Sequence, residues 1–314
     1  MDFGLLKFLN NKYLADVTVK VEDTSFKAHK VVLAAGSAYY YRLFENDSKS
    51  EVSLPPYVEP KFGNVSVKSL FGDLLGYLYG NQEVEIIKKK INEETANCFL
   101  ALGYSLGVQS LTDLAAEFIV DFMLCSRNCV DYLMEGIKFY SQVLIDAATK
   151  QVILNFQEVA RDVNSVNALA CLPFKVLVQV VSSDELKVDS EKVVFEVLGG
   201  ICLQDKTKLK KEEIDELFKV VRWPFLTHSD LLQAASNPHF SICKDLILEG
   251  ISVQLSEHIK AKDYEYKVIQ TPRSSYTSQL PVQSHKQPSL EAPIRFQSKS
   301  SSICLLPSRL PQTN

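Results

Sequence analysis

The chain has 314 residues, 46% of them hydrophobic and 23% charged, which is the composition of an ordinary globular protein with room for two domains. Its net charge of −4 argues against a protein that binds nucleic acid over its whole surface. There is no run of about 18 apolar residues and no basic start followed by an apolar core, so we expect neither a membrane span nor a signal peptide. The seven cysteines are scattered and odd in number, which favours reduced thiols in the cytoplasm or the nucleus.

In the stretch 15–44 the spacing of apolar residues changes once, from that of a strand to that of a helix. Val17, Val19 and Val21 alternate with polar residues, which predicts a half-buried strand. Polar residues at 22–24 form a turn, after which 25–28 can return as the second strand of a hairpin. From residue 31 onward the apolar residues recur at intervals of three and four, so helices follow. His29 lies where the strand pattern ends and the helical pattern begins.

The next stretch mixes short strands with helices. Strands are predicted at 52–54 and 84–86, and helices at 66–79 and 111–123. A further helix begins after Asn92, whose side chain can cap it. The first part of the chain is therefore predicted to be an α+β domain.

These residues resemble the start of a BTB/POZ domain. The matching residues are Asp16, Phe26, Lys27, Ala28, His29, Lys30, Val31, Val32, Leu33, Ala34, Ala35, Ser37, Tyr39, Tyr40 and Phe44. The resemblance implies short strands capped by helices over residues 1–124. It also implies a domain that pairs proteins, with a homodimer formed through it, and no catalysis.

Residues 125–262 are predicted to be helical throughout. One predicted helix covers 129–144, with Leu133, Ile137, Tyr140 and Leu144 on one face, and others cover 146–158 and the residues after Pro173. This stretch resembles a BACK domain, the companion of BTB in kelch-like adaptor proteins. The matching residues are Asn128, Cys129, Asn155, Phe156, Glu158, Val159, Leu177, Ser183, Asp184, Glu185, Leu186, Ser190, Glu191, Val194, Phe195, Val221, Arg222, Trp223, Pro224, Phe225 and Leu226.

Residues 263–314 are predicted to be a linker followed by a disordered tail. The stretch 271–314 holds six of the twelve prolines and ten serines, with little apolar periodicity. Such a segment cannot bury enough surface to offset the entropy lost on ordering. It is also shorter than one kelch blade of about 50 residues and contains no glycine, so we expect no kelch propeller in this sequence.

The end of the BTB-like stretch carries the candidate partner site. In kelch-like proteins the loop after this helix has an apolar residue, any residue and then Glu, and it docks on cullin-3. That position falls here at Ser48-Lys49-Ser50, and Glu51 comes one position late. The candidate residues on the cullin side are Tyr39, Tyr41, Phe44, Glu45, Asp47, Ser48 and Glu51. The alternative is that all these aromatic residues are core or dimer contacts.

Asp16 and His29 are interpreted as structural residues of the BTB pattern. At the junction between strand and helix, the ring nitrogens of His29 can satisfy backbone groups. No cysteine or carboxylate accompanies His29 at a metal-binding spacing. We therefore expect neither a ligand nor a general base at this position.

Signals for chemistry are weak elsewhere, and we predict no catalytic residue, cofactor or metal site. The segment Gly103-Tyr104-Ser105-Leu106-Gly107 matches the nucleophile elbow of hydrolases, but the residues before it are predicted to be helical and not a strand. Cys125 and Cys129 would supply half a zinc site. An enzyme is accordingly the least favoured hypothesis.

Two functional hypotheses remain, neither of them enzymatic. The first is an adaptor that self-associates through its BTB domain and recruits a substrate, not identified by the sequence, to a cullin-3 ubiquitin ligase. The second is a cullin-independent scaffold, or a regulator that pairs with longer BTB proteins. Neither involves nucleic acid or a membrane.

Overall fold

The computed structural model describes residues 4–9, 11, 13–46, 49–55, 61–62, 65–202, 209–259 and 269–274. The chain divides into two compact units, Met1–Val159 and Ala160–Asn314. Most of the predicted tail, residues 263–314, lies outside the described residues.

The first unit contains the predicted hairpin, which the structure confirms. Strand β1 (Val17–Val21) pairs antiparallel with β2 (Thr24–Ala28), and β3 (Glu51–Ser53) pairs parallel with β1, so the order in the sheet is β2-β1-β3. Val17, Val19 and Val21 are buried, as their alternation predicts. Strands β4 (Lys61–Phe62) and β5 (Val65–Ser66) form a separate antiparallel pair.

Helices enclose this sheet and confirm the α+β class. They are α1 (Lys30–Gly36), α2 (Ala38–Asn46), α3 (Val67–Tyr79), α4 (Val84–Lys88), α5 (Ala96–Leu106) and α6 (Gln109–Phe122), and a short 3-10 helix, Leu6–Phe8, precedes them. Helix α3 begins where the sequence predicts, because the Ser66 side chain accepts a hydrogen bond from the Lys68 amide.

Two local predictions in this unit are wrong. Residues 84–86 are not a strand but the start of α4, which buries Ile87. A run of three residues is too short to distinguish the two-residue period of a strand from the 3.6-residue period of a helix. Only the packing of α4 on α3 decides between the two structures. Asn92 does not cap α5 directly: its Oδ1 accepts from the amides of Glu94 and Thr95 in the turn before the helix.

The helix predicted over 129–144 is interrupted. The structure has α7 (Cys129–Lys138) and α8 (Gln142–Leu154), separated by Tyr140 with a left-handed φ of 52°. The apolar spacing continues across the break, which is why the sequence indicates one helix. Helix α8 packs on both α7 and α6, so these two helices lie in the first compact unit.

The described elements of the second unit are all helices. Its elements are α9 (Phe156–Arg161), which begins at the end of the first unit, α10 (Val163–Leu169), α11 (Phe174–Ser182), α12 (Glu191–Cys202), α13 (Lys211–Lys219), α14 (His228–Ser236) and α15 (Lys244–Ile259), with 3-10 helices Trp223–Phe225 and Pro238–Cys243. Pro173 directly precedes α11, as predicted, and the Thr227 side chain caps α14 by accepting a hydrogen bond from the Asp230 amide.

The core of the second unit is aromatic. Phe195 packs against Trp223, Phe218 and Phe240 with ring centroids 5.5, 6.1 and 4.8 Å away. The buried Trp223 donates its Nε1–H to the Phe218 carbonyl at 2.9 Å. This satisfies the one polar group of the indole, so Trp223 acts as a packing residue.

None of the described helices is, by itself, both long and apolar enough to cross a membrane. Helices α10 and α11 reach the required length and apolar content together, but they are bent by 120° at the break between them.

Candidate partner-binding surface

Helix α2 turns its aromatic residues in different directions. Tyr40 is fully buried, with its ring stacked on Phe44 at 5.7 Å and edge-on to Tyr39 at 5.2 Å. Burial raises the pKa of the Tyr40 hydroxyl. Tyr41, in contrast, is 58% exposed, while Tyr39 and Phe44 are half-buried. One face of α2 thus anchors the helix, and Tyr41 is its outward aromatic residue.

The junction between α2 and α5 is held rigidly. The Ser37 hydroxyl, buried just before α2, donates to the Leu106 carbonyl at 2.5 Å, and the Ala38 amide donates to the Gly107 carbonyl at 3.2 Å. Gly107 has a φ of 63°, and a Cβ there would lie only 2.9 Å from the Ala38 Cβ. A glycine is needed because both the left-handed backbone and the close approach exclude a side chain.

An open cavity of about 490 Å³ lies above this junction. Its walls are the end of α1, the start of α2 with Tyr41 and Arg42, and Gln109 and Ser110 at the start of α6. Gln82 bridges two walls, because its Oε1 accepts from the Ser110 hydroxyl at 2.5 Å and its Nε2 donates to the Gly36 carbonyl at 3.4 Å. The cavity is preformed and has a mixed polar and aromatic rim, which suits a protein side chain.

Two more aromatic residues are exposed close to this rim. Tyr104 lies on the last turn of α5, three residues before Gly107, and its ring stacks on Tyr140 at 5.9 Å. Tyr140 is 77% exposed, which corrects its predicted place on the inner face of a continuous helix. The break between α7 and α8 turns this ring outward. Together the two tyrosines form an exposed aromatic platform.

We call Tyr41, the cavity and the platform of Tyr104 and Tyr140 the aromatic surface. Sequence reasoning found Tyr41 but missed Gln82, Tyr104 and Tyr140. No glycine or proline marks the break at Tyr140, and Gln82 lies far from α2 in the sequence. Only the tertiary structure brings Gln82 to Gly36 and Ser110, and Tyr104 to Tyr140.

The loop after α2 is described in part. Glu45 is exposed, and Asp47 and Ser48 lie outside the described residues. Glu51 lies in β3, and its carboxylate forms a 2.5 Å ion pair with Lys20 on the neighbouring strand β1. The Lys20 and Glu51 side chains are 50% and 58% exposed, so the pair stabilises the sheet only weakly. Lys49 and Ser50 are exposed polar residues where kelch-like proteins have the apolar-x-Glu motif.

Asp16 and His29 fasten the start of α1. Asp16 accepts a hydrogen bond from the Lys30 amide at 2.8 Å. The Nδ1 of His29 lies 2.7 Å from the Tyr79 hydroxyl, and its Nε2 lies 3.1 Å from the Tyr13 carbonyl. The Tyr13 carbonyl can only accept, so Nε2 carries the proton of the neutral ring and Nδ1 accepts from the Tyr79 hydroxyl, which itself accepts from the His29 amide at 3.0 Å. Both ring nitrogens are therefore occupied.

A second apolar patch lies around the N-terminal segment. Phe8 contacts the His29 ring edge-on at 5.8 Å, which fixes the segment against the start of α1. Its exposed members are Leu5, Tyr13, Leu14 and Val31, which are 44%, 68%, 68% and 74% exposed. We call these four residues the N-terminal patch. Exposed apolar groups of this kind mark interaction sites.

The segment 103–107 does not form a nucleophile elbow. Residues 103–106 are the end of helix α5, and Ser105 is part of that helix with no strand before it. Among the described residues, no three His, Cys, Asp or Glu side chains lie together as a metal site. Cys129 is buried, and its burial raises the thiol pKa to about 11, which leaves the thiol protonated and unreactive near neutral pH.

Comparisons with known proteins match two family models to the chain, which meet between residues 122 and 129, whereas the compact units divide after Val159. The family model described as BTB/POZ domain matches residues 5–122, and the model described as BTB And C-terminal Kelch, abbreviated BACK, matches residues 129–236. The chain is 28% identical to Kelch-like protein 25 of Xenopus laevis over 253 residues, which cover 80% of the chain and 39% of that protein.

Two human proteins are similarly related. Kelch-like protein 17 is 26% identical over 251 residues, or 77% of the chain and 36% of that protein. Kelch-like protein 3 is 27% identical over 268 residues, or 81% of the chain and 41% of that protein. The chain thus spans about two fifths of the length of the relatives that it matches.

Proposed function

Because the chain belongs to the BTB–BACK proteins, with a BTB/POZ domain at residues 5–122 and a BACK domain at residues 129–236, we propose that it is an adaptor of a cullin-3 ubiquitin ligase. BTB and BACK domains are typically adaptor domains without enzymatic activity. In this proposal, the BTB domain self-associates, the aromatic surface binds cullin-3, and another part of the protein recruits the substrate.

The observation that carries the proposal is the aromatic surface. Tyr41 and the stacked pair of Tyr104 and Tyr140 expose aromatic rings beside a preformed cavity, all held by hydrogen-bonded helix ends. Exposed tyrosines on rigid elements are favourable anchors at protein interfaces, because little side-chain entropy is lost on binding. A helix of cullin-3 that lies across α2 and α5 would cover both tyrosine positions.

Self-association is assigned to the N-terminal patch. Its four apolar residues are exposed on one protomer, and His29 and Phe8 hold the segment that carries three of them. A second copy of the chain would remove this surface from water, at about 25 cal/mol for each Å² of apolar area.

Titration of the full chain with the purified N-terminal domain of cullin-3 tests the proposal. We expect saturable binding in calorimetry, with one cullin-3 per protomer, and a dimer of the free chain in light scattering. Absence of any complex with a folded, dimeric chain would contradict the ligase proposal and leave the BTB assignment intact.

The second candidate is a cullin-independent scaffold. It is favoured by the sequence at the apolar-x-Glu position, where Ser48 stands in place of the apolar residue and Ser50 in place of the glutamate. Mixed pairing with a longer BTB protein would then be the main activity. A dimer that exchanges subunits with a kelch-like protein but does not bind cullin-3 would support this alternative.

A further inference from the structure

A short segment beyond the last helix is anchored in the second unit by one buried side chain. Residues 269–274 are described, and Arg273 among them is 0% exposed. The sequence predicts disorder from residue 271 onward, because proline, serine and net positive charge dominate there. The structure differs at Arg273: a fully buried arginine is uncommon, and it must be paired.

Arg273 forms a bidentate ion pair with Glu191, the first residue of α12. Its Nε donates to Glu191 Oε2 at 2.9 Å, and its Nη2 donates to Glu191 Oε1 at 3.0 Å. The remaining arm, Nη1, donates to the Ser183 carbonyl at 2.7 Å. Glu191 is also 0% exposed, so two opposite charges are removed from water together. This paired geometry is the strongest form of arginine recognition.

A second arginine holds the segment from the other side. The backbone amide of Arg222 donates to Glu191 Oε1 at 3.0 Å, and its Nη1 donates to the Thr271 carbonyl at 3.0 Å. Its Nη2 is paired with the Asp184 carboxylate. Asp184 in turn accepts the Ser274 amide on its backbone carbonyl at 2.9 Å.

Without residues 269–274, the buried groups around Glu191 would lose some of their bonding partners. Glu191 would keep the Arg222 amide as a donor but would lose its buried counter-charge. Arg222 would lose its contact with Thr271. An unpaired buried carboxylate is strongly unfavourable, and replacing one partner of a buried pair costs more than the pair contributes. The side chains are therefore arranged for an arginine that arrives from outside the helices.

We propose that Ser183, Glu191 and Arg222 form a binding site for an extended, arginine-containing peptide, and that residues 269–274 of the same chain occupy it. The folded domain then extends to Ser274, beyond the boundary that the sequence predicts at residue 262. This site is separate from the aromatic surface and does not depend on cullin-3 binding.

Hydrogen exchange on the full chain is the first test and needs no variant. We expect the Ser274 amide to exchange at least roughly 100-fold more slowly than an unstructured amide, because it donates to the Asp184 carbonyl. Exchange of Ser274 at the unstructured rate would overturn the proposal.

Substitution of Arg273 is the second test. Arg273→Ala is expected to lower the melting temperature of the unit by roughly 10 °C and to abolish protection at Ser274. The matched control is Arg161→Ala, since Arg161 is 70% exposed and its nearest carboxylate is 3.8 Å away. If Arg273→Ala does not fold, Arg273→Lys replaces it. Lysine keeps the positive charge but lacks the planar guanidinium that bonds both carboxylate oxygens, so we expect a smaller decrease in melting temperature and a partial loss of protection at Ser274. The proposal would be overturned if the Arg273 variants had the same melting temperature as the control and the wild type.

A peptide with the sequence of residues 268–276 tests the binding site itself. At about 1 mM, comparable to the effective concentration of a tethered segment, it should raise the melting temperature of the Arg273→Ala chain. The same peptide with alanine in place of arginine is the control. No difference between the two peptides would show that the contact forms only within the folded chain, which contradicts a peptide-binding site.

Discussion

The Tyr79 hydroxyl lies 2.7 Å from the Nδ1 of His29, although the two residues are 50 positions apart in the chain. The same hydroxyl accepts the His29 amide at 3.0 Å. One oxygen at the end of α3 thus satisfies two groups at the start of α1. It joins the strand-to-helix junction to the largely buried helix α3, and the first prediction follows from it.

Tyr79→Phe should lower the free energy of unfolding by about 1–3 kcal/mol. The ring is kept, but the buried His29 amide and Nδ1 lose their partner, and an unsatisfied buried polar group costs about that much. Urea denaturation of the two chains measures the difference. Tyr140→Phe is the control, because its ring is 77% exposed and removal of its hydroxyl should leave the midpoint unchanged. An unchanged midpoint for Tyr79→Phe would show that the hydrogen bonds contribute nothing.

Tyr41→Ala should weaken the binding of cullin-3 at least roughly 10-fold. Tyr41 is the outward aromatic residue of α2, and truncation of an anchoring tyrosine typically costs more than about 1 kcal/mol. Calorimetric titration of each variant measures the effect. Leu248→Ala is the control, since Leu248 is 62% exposed on α15, in the other unit. Equal affinity for both variants would remove Tyr41 from the interface.

Tyr140→Ala tests the extension of the aromatic surface onto the break between α7 and α8. We expect weaker cullin-3 binding with unchanged circular dichroism, because the ring contacts Tyr104 but is otherwise exposed. If Tyr41→Ala weakens binding and Tyr140→Ala does not, the interface ends at the cavity.

Val31→Asp should dissociate the dimer. Val31 is 74% exposed on α1 in the N-terminal patch, so a carboxylate there is tolerated in the monomer but is desolvated in the interface. Light scattering should give half the wild-type mass. Val163→Asp provides the control, because Val163 is 55% exposed in the second unit. A dimer that survives the substitution would place the interface elsewhere.

Acid should destabilise the second unit in part through Asp230. Burial opposes ionisation of this carboxyl, but hydrogen bonds from the Thr227 hydroxyl at 2.6 Å and from Lys192 at 2.9 Å outweigh it, so its pKa lies below the ordinary value. A lowered pKa means stabilisation that is complete above the unfolded-state pKa of about 3.9 and is lost as the pH falls through the folded-state pKa.

The expected result is that Asp230→Asn destabilises the protein near pH 6 and that the difference from wild type shrinks toward pH 3. Urea midpoints over this range measure it. Glu196, whose pKa is raised by burial, also interacts with Lys192 and Asp230 and is present in both proteins. A difference that stays constant with pH would show that the Asp230 charge is not involved.

Local patterns were sufficient for elements whose partners lie nearby. Val17, Val19 and Val21 alternate, and they form the buried side of β1. Ser66 and Thr227 cap the helices that follow them, because the bonds involved span only two or three residues. In contrast, the run 84–86 and the break at Tyr140 depend on what packs against them, and their apolar spacing is compatible with either structure.

The sequence alone determined the two-domain resemblance and the α+β and all-α classes, since these depend on spacing along one segment, and it left open whether Tyr39 or Tyr41 points outward. Tertiary structure alone decided which distant residues meet. The pairs His29 with Tyr79, Tyr104 with Tyr140, and Arg273 with Glu191 join different elements. Periodicity predicts which side of an element is buried but not what that side contacts. Arg273 has the sequence surroundings of a disordered tail, and only the tertiary structure shows that it is buried in an ion pair with Glu191.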